Sequence, residues 1–255
     1  MMHSTSNKRK ILERTVAIIF WLAVWHIAAL VIGVDMILPS PIIVAQLLSS
    51  LVTTKEFWNS VVFSISRMGA GFLLALVVSI ILAALSYVFK FAEILLTPVL
   101  NVIKAAPVAS YIILCLLLMP SRRLSIVISF MMAMPVFYSN ILEGLRQTDP
   151  KLLEMAKAYE IPLPKRIAFI YFSHVLPYLT SSASVALGLC WKAGIAAEVI
   201  GLPRGSIGES LYQAKIYADT KSVLAWSIVV VTISILFEKA FLALLNKLRY
   251  SLERR

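Results

Sequence analysis

An all-α, polytopic membrane protein with six transmembrane helices is encoded here, on three grounds. Of the 255 residues, 60% are hydrophobic and 15% charged, with a mean hydropathy of +0.88, against about 25% charge in soluble domains. Apolar runs able to cross a bilayer, which takes about 20 residues, recur at 15–34, 60–88, 93–119, 124–142, 167–191 and 222–246. No polar stretch between them is long enough to bury a core of its own, which excludes a soluble enzyme and a single-pass anchor. The formal charge of +11 then fits cytoplasmic loops facing anionic lipid rather than nucleic acid.

The first run follows a basic patch, Lys8, Arg9, Lys10 and Arg14, as a signal peptide would. It is long enough to span and has no small-residue cleavage site, so it is expected to stay as a membrane helix. Pro39-Ser40-Pro41 opens a segment with Ile43, Leu47, Leu48 and Leu51 at helical spacing, expected to lie in the interface. The second run carries Gly71, Ala75, Ser79 and Ala83, small residues four apart, which let another helix approach closely. Thr180, Ser184 and Gly188 are expected to do the same in the fifth run. The third run is interrupted by Pro98 and Pro107, each removing a backbone donor and favouring a kink, as in a pathway-lining helix.

With the amino terminus inside, the basic residues sort by the positive-inside rule. The cytoplasmic set is Lys8, Arg9, Lys10, Arg14, Lys90, Arg146, Lys151, Lys157, Lys165, Arg166, Lys239, Lys247, Arg249, Arg254 and Arg255. The smaller outer set is Lys55, Arg122, Arg123, Lys192, Arg204, Lys215 and Lys221. Both termini are therefore expected in the cytoplasm. Cys115 and Cys190 lie in apolar runs without metal-ligand or CxxC spacing, so neither a disulfide framework nor a zinc site is indicated.

The loop from Glu143 to Arg166 is the most informative part of the chain. Asp149-Pro150 is a helix start, and Leu152, Met155, Ala156 and Tyr159 recur at helical spacing beyond it. Ile161-Pro162-Leu163-Pro164 ends the helix, since the residue before a proline avoids the helical region. Such a short amphipathic helix suits lipid headgroups or a groove on a partner equally well.

Glu154-Met155-Ala156-Lys157-Ala158, then Ile167 and Val175-Leu176-Pro177, resembles the EAA loop of permease subunits of type I ATP-binding-cassette (ABC) importers. The resemblance continues through Pro39-Ser40-Pro41, Asn59-Ser60 with Arg67 and Gly71, Lys104 to Pro107, Trp191 to Glu198, and Gly205 to Gly208. These match, in order, permeases of the nitrate, sulfonate and taurine class, whose relatives also carry thiamine precursors, riboflavin and other heterocycles. It implies the type I permease fold in the cytoplasmic (inner) membrane: residues 1–54 with the first span and interfacial helix, and a core at 55–250 containing the coupling loop 143–166. It also implies two copies of the permease around a translocation pathway, a separate ATPase subunit holding ATP and Mg, an external solute-binding protein, and no cofactor in this chain. Leu152, Glu154, Met155, Ala156, Lys157, Tyr159 and Glu160 are then the expected contacts with the ATPase. The family's EAA loop usually has glycine where Glu160 stands, so the helix exit is expected to rely on Pro162. Ile113 and Leu118-Met119-Pro120 replace the second proline and the Trp-Phe-Gly-like motif expected in the third span.

Candidate pathway residues are Arg67, Lys104, Pro107, Ser110, Tyr111, Trp191 and Glu198. Arg67 is near enough to the outer interface to snorkel. Lys104, near mid-span, needs water or a partner, because a charge there costs about 2.5–3.5 kcal/mol or more. Glu198 has Lys192 and Arg204 as possible ion-pair partners, or braces an outer gate. His26 and His174 have no nearby ligand partner and are assigned to packing. No GxxxxGK[ST] phosphate cradle is present, so ATP hydrolysis is expected elsewhere. A stand-alone secondary transporter of a small anion needs coupling-ion carboxylates within spans. Only Glu93 and Glu198 are expected near spans, both toward the ends, and no His, Asp or Cys cluster suggests a membrane enzyme.

Overall fold

Prolines and small polar residues set the helix ends in the computed structural model, which describes residues 3–253, without the side chains of 3–11, 14, 248, 249 and 251–253. Of the expected cytoplasmic cations, Arg254 and Arg255 lie outside the described residues, and the side chains of Lys8, Arg9, Lys10, Arg14 and Arg249 are among those not described. The helices are α1 His3–Ile32, α2 Pro41–Leu51, α3 Lys55–Val88, α4 Lys90–Ala105, α5 Val108–Leu118 and α6 Ser121–Arg146. They continue with α7 Pro150–Ala158, α8 Leu163–Arg166, a π-helical turn Ile167–Tyr171, α9 Phe172–Gly201, α10 Ile207–Ile216 and α11 Thr220–Glu253. No strand occurs among the described residues. Among the described residues, five helical segments are long and apolar enough to cross a membrane, and α4 with α5 makes a sixth when counted as one bent span.

That bend, 106°, falls at Ala106-Pro107. Ala106 is extended (φ −78°, ψ 146°), as a residue before proline prefers. Pro98, by contrast, sits inside α4 without interrupting it, so only one of the two expected breaks exists. The bent pair still runs the length of α6. Glu93 in the first turn of α4 meets Arg146, the last residue of α6, at 2.6 Å, while α5 ends just before α6 begins. The pair thus joins opposite ends of α6, a helix about 39 Å long by its 26 residues, whereas a re-entrant loop returns to the end it left.

The chain packs as two compact units. The first comprises residues 1–58 and 210–229. In it, Ser40 caps α2 by accepting from the Ile43 amide, Trp25 Nε1 donates to the Pro39 carbonyl at 3.1 Å, and Phe57 stacks on Trp226 at 5.2 Å between centroids.

The second unit comprises residues 59–209 and 230–255. Its core is the packing of α6 on α9, flanked by α3 and α11, with Phe72 edge-on to Phe137 and Phe241. The stripe on α3 behaves as its spacing predicts: Gly71, Ala75, Ser79 and Ala83 are all buried. A Cβ on Gly71 would stand 2.4 Å from the Ile126 carbonyl oxygen, so the α3–α6 approach requires glycine there. Ser79 Oγ donates to the Met134 carbonyl at 2.9 Å, adding a hydrogen bond at membrane depth. The stripe expected on α9 does not pack this way: Ser184 is exposed, and no atom within 4 Å would meet a Cβ on Gly188. The small residues that α9 buries are Ser182, Ala183, Ala186, Cys190, Ala193, Gly194 and Ala197, on a different face.

Candidate functional site

The loop helix α7 forms as its sequence dictates. Asp149 is the N-cap, its carboxylate accepting from the Lys151 amide at 2.9 Å, and Pro150 occupies the first turn, where no amide partner is lost. Its orientation differs from the expected one. Ala156 is fully buried against its own chain (0% exposed), with Leu152 and Leu153 half-buried beside it. Glu154, Met155, Lys157, Ala158, Tyr159 and Glu160 are exposed, Tyr159 by 78% and Met155 by 44%. The apolar stripe is therefore divided: Ala156 and Leu152 hold the helix to the permease, while Met155 and Tyr159 project outward among charges.

The exit of α7 also corrects an expectation. Glu160 adopts the left-handed conformation itself (φ 50°). The Ile161 amide then donates back to the Ala156 carbonyl at 2.9 Å and the Glu160 amide to Lys157 at 3.1 Å. A glutamate thus makes the helix end that glycine usually makes, at a steric cost of roughly 1–2 kcal/mol.

The candidate pathway residues do not form one cluster. Trp191 is buried in the core, its ring 5.9 Å from Phe237, so it packs rather than lines. Arg67 donates through Nε to the Arg122 carbonyl at 2.7 Å and lays its guanidinium 3.7 Å from the Phe63 ring centroid. It is anchored at the start of α6, where a freely snorkelling side chain would not be. Lys104 is exposed and donates to Ser139 Oγ at 2.9 Å, and no ion pair holds it among the described residues. Pro107 is the N-cap of α5 and Ser110 is exposed, its amide bound to the Pro107 carbonyl. Tyr111 spans the bend, donating from Oη to the Val102 carbonyl at 2.7 Å.

Glu198 is wholly buried, and among the described residues it has no ion pair with Lys192 or Arg204. Its Oε2 accepts from Ser64 Oγ at 2.7 Å and from the Gly208 amide at 3.3 Å, and Ser64 Oγ accepts in turn from the Ile207 amide at 3.0 Å. The carboxylate and Ser64 together cap the start of α10, satisfying amides that a helix N-terminus leaves open. The GSIG segment makes this possible. Gly205 turns at φ +76°, and a Cβ on Gly208 would lie 2.3 Å from the Glu198 Cβ and 2.5 Å from its carbonyl carbon. Ser206 Oγ accepts from the Glu209 amide, and the Glu209 carboxylate accepts from the Gly205 amide.

One polar position within a span escaped the sequence reading. Glu238, half-buried on α11, accepts a short hydrogen bond from Ser184 of α9, and Lys239, counted as cytoplasmic, follows it inside the same span. Their signal was present, since an adjacent acid and base interrupt an otherwise apolar run. Among the described residues no group of His, Cys, Asp and Glu could hold a metal ion.

The comparisons with known proteins agree with this architecture. The family described as "Binding-protein-dependent transport system inner membrane component" matches residues 75–250, more than half of the chain, and the chain belongs to that family. The putative aliphatic sulfonates transport permease protein SsuC of Bacillus subtilis is 26% identical over 229 residues, covering 89% of this chain and 82% of that protein. The nitrate import permease protein NrtB of Synechococcus elongatus is 25% identical over 214 residues, covering 80% of this chain and 76% of that protein. The bicarbonate transport system permease protein CmpB of the same species is 26% identical over 145 residues, 56% of this chain and 52% of that protein. The chain is a multi-pass permease component of an ABC importer, a reading these relatives support over a stand-alone secondary transporter.

Proposed function

We propose that this permease, paired with a second copy of itself, carries a small oxyanion or heterocyclic solute across the cytoplasmic membrane after an external binding protein delivers it. A separate ATPase, holding ATP and Mg, supplies the energy through α7, and this chain hydrolyses nothing. The core at 55–250 with its 143–166 loop performs the transport. The observation that carries the reading is the division of α7: a buried face fixes it to the permease, and an exposed face mixes Met155 and Tyr159 with Glu154, Lys157 and Glu160. An apolar anchor among charges suits a protein groove with a charged rim. ATP-driven closure of the ATPases would pull on α7 and rock the bundles by alternating access.

Relatives named for sulfonates, nitrate and bicarbonate support an anionic solute, as does Lys104, whose ammonium retains donors beyond its one bond to Ser139. With the bent pair counted as one span the crossings number six, which supports a reading with both termini in the cytoplasm. Cysteine labelling in sealed cells tests this orientation. An impermeant thiol reagent should modify Arg204→Cys, which is exposed, and leave the equally exposed Lys157→Cys untouched. The reverse pattern would place α7 outside and end the coupling proposal.

A further inference from the structure

Arg67 of α3 is fixed in place without an acid. Its Nε donates to the Arg122 carbonyl at 2.7 Å, and its guanidinium lies over the Phe63 ring, 3.7 Å from the centroid. The Arg122 guanidinium stands 5.9 Å from the same centroid, so two like charges share one ring at the start of α6. Glu198 is the acid whose charge reaches Arg67. It is wholly buried, with Oε2 bound to Ser64 and Gly208 and Oε1 without a hydrogen bond. Among the described residues neither arginine makes an ion pair, and no acceptor meets the Nη groups of Arg67. The helix α6 itself starts with no side-chain cap and no acidic residue in its first turn, which leaves the positive end of its dipole uncompensated.

Two guanidiniums against one carboxylate leave a net positive charge, and the stacked, anchored Arg67 keeps both Nη groups as a fixed fork of donors. Such a fork matches the oxygens of a carboxylate, sulfonate or phosphate, and prior anchoring means that little side-chain freedom is lost on binding. We propose that Arg67, with Arg122 beside it, binds a singly charged oxyanion at the open end of α6. A small sulfonate solute and a lipid phosphodiester share this chemistry. In the proposed orientation this end of the second unit faces outside, where a solute handed over by the binding protein first meets the permease. That role rests on the anionic-solute proposal, whereas the site rests on the geometry around Arg67.

The test melts the whole permease–ATPase complex in neutral detergent across a titration of sodium ethanesulfonate, with sodium chloride holding the ionic strength constant. The wild type should gain a saturable stabilisation. Arg67→Gln should weaken the apparent affinity at least about tenfold, and Arg67→Lys, which keeps the charge without the fork, nearly as much. Both give up the anchor on α6, so Arg122→Gln is the companion variant. Residue 122 is exposed and its carbonyl stays available to Arg67, so this variant should melt with the wild type and bind about threefold more weakly. A wild type with no saturable stabilisation, or Arg67→Gln and Arg122→Gln both binding as the wild type does, would overturn the proposal. Repetition in phosphatidylcholine nanodiscs assigns the occupant: stabilisation retained there supports a free solute, and stabilisation lost there supports a lipid phosphate already in the site. Uptake of labelled ethanesulfonate by cells reads the anionic-solute proposal separately.

Discussion

Of the helix ends in this permease that use the same rare backbone, two serve opposite purposes. Glu160 closes α7 at φ 50° and Leu202 closes α9 at φ 49°, both left-handed without glycine. Around Leu202 the polar groups face inward: Glu198 Oε2, Ser64 and the start of α10 bind one another out of solvent, and Glu198 Oε1 is buried beside them without a hydrogen bond. Around Glu160 the charges and the Tyr159 ring are left open. The polar groups of one helix end are therefore closed off from solvent, and the other keeps a surface for something else to cover.

The largest expected effects fall on the buried side of each end. Ala156→Arg forces a charge into a position with no exposure and should destabilise the permease itself by about 3 kcal/mol or more. Gly208→Ala should lose a comparable amount, since its Cβ meets backbone and not a movable side chain. Thermal unfolding in detergent checks both. A Gly208→Ala protein that melts with the wild type would show that the α9–α10 clasp is slack.

Next in size, Glu198→Ala strands the Ser64 hydroxyl and the Gly208 amide, at about 1–3 kcal/mol for each buried group left unpaired. Glu198→Gln keeps an acceptor for both and should cost less than half as much. Equal losses from the two substitutions, measured by the same unfolding, would mean that charge matters at Glu198 beyond its role as an acceptor. A gain is expected at the α7 end, where Glu160→Gly relieves the left-handed strain and should stabilise by about 1 kcal/mol. A loss there would show that the Glu160 side chain itself holds the loop.

Local rules carried much of the architecture. Proline stereochemistry located the break at Ala106-Pro107, Asp149-Pro150 announced α7, and four-residue spacing on α3 identified its buried face. Pro98 shows the limit of that logic, because a continuous helix accommodates it and only packing decides. The direction of α7 was hidden for a related reason: Leu152, Met155, Ala156 and Tyr159 are all apolar, and periodicity cannot say which of them touch their own chain. Ser64 and Ser184, which bind Glu198 and Glu238, lie 134 and 54 residues away from them in sequence, so no local pattern could pair them. On α9, both candidate stripes are small, and only the tertiary packing distinguishes the one beneath α6 from the exposed one.

The central claim is that the exposed face of α7 receives the ATPase. Met155→Glu combined with Tyr159→Ala alters two exposed side chains and should leave unfolding within about 0.5 kcal/mol of wild type. Pull-down of the ATPase by this double variant, at equal membrane insertion, should fall at least about tenfold, equivalent to about 1.4 kcal/mol. Undiminished ATPase binding would contradict the assignment of α7 as the coupling contact.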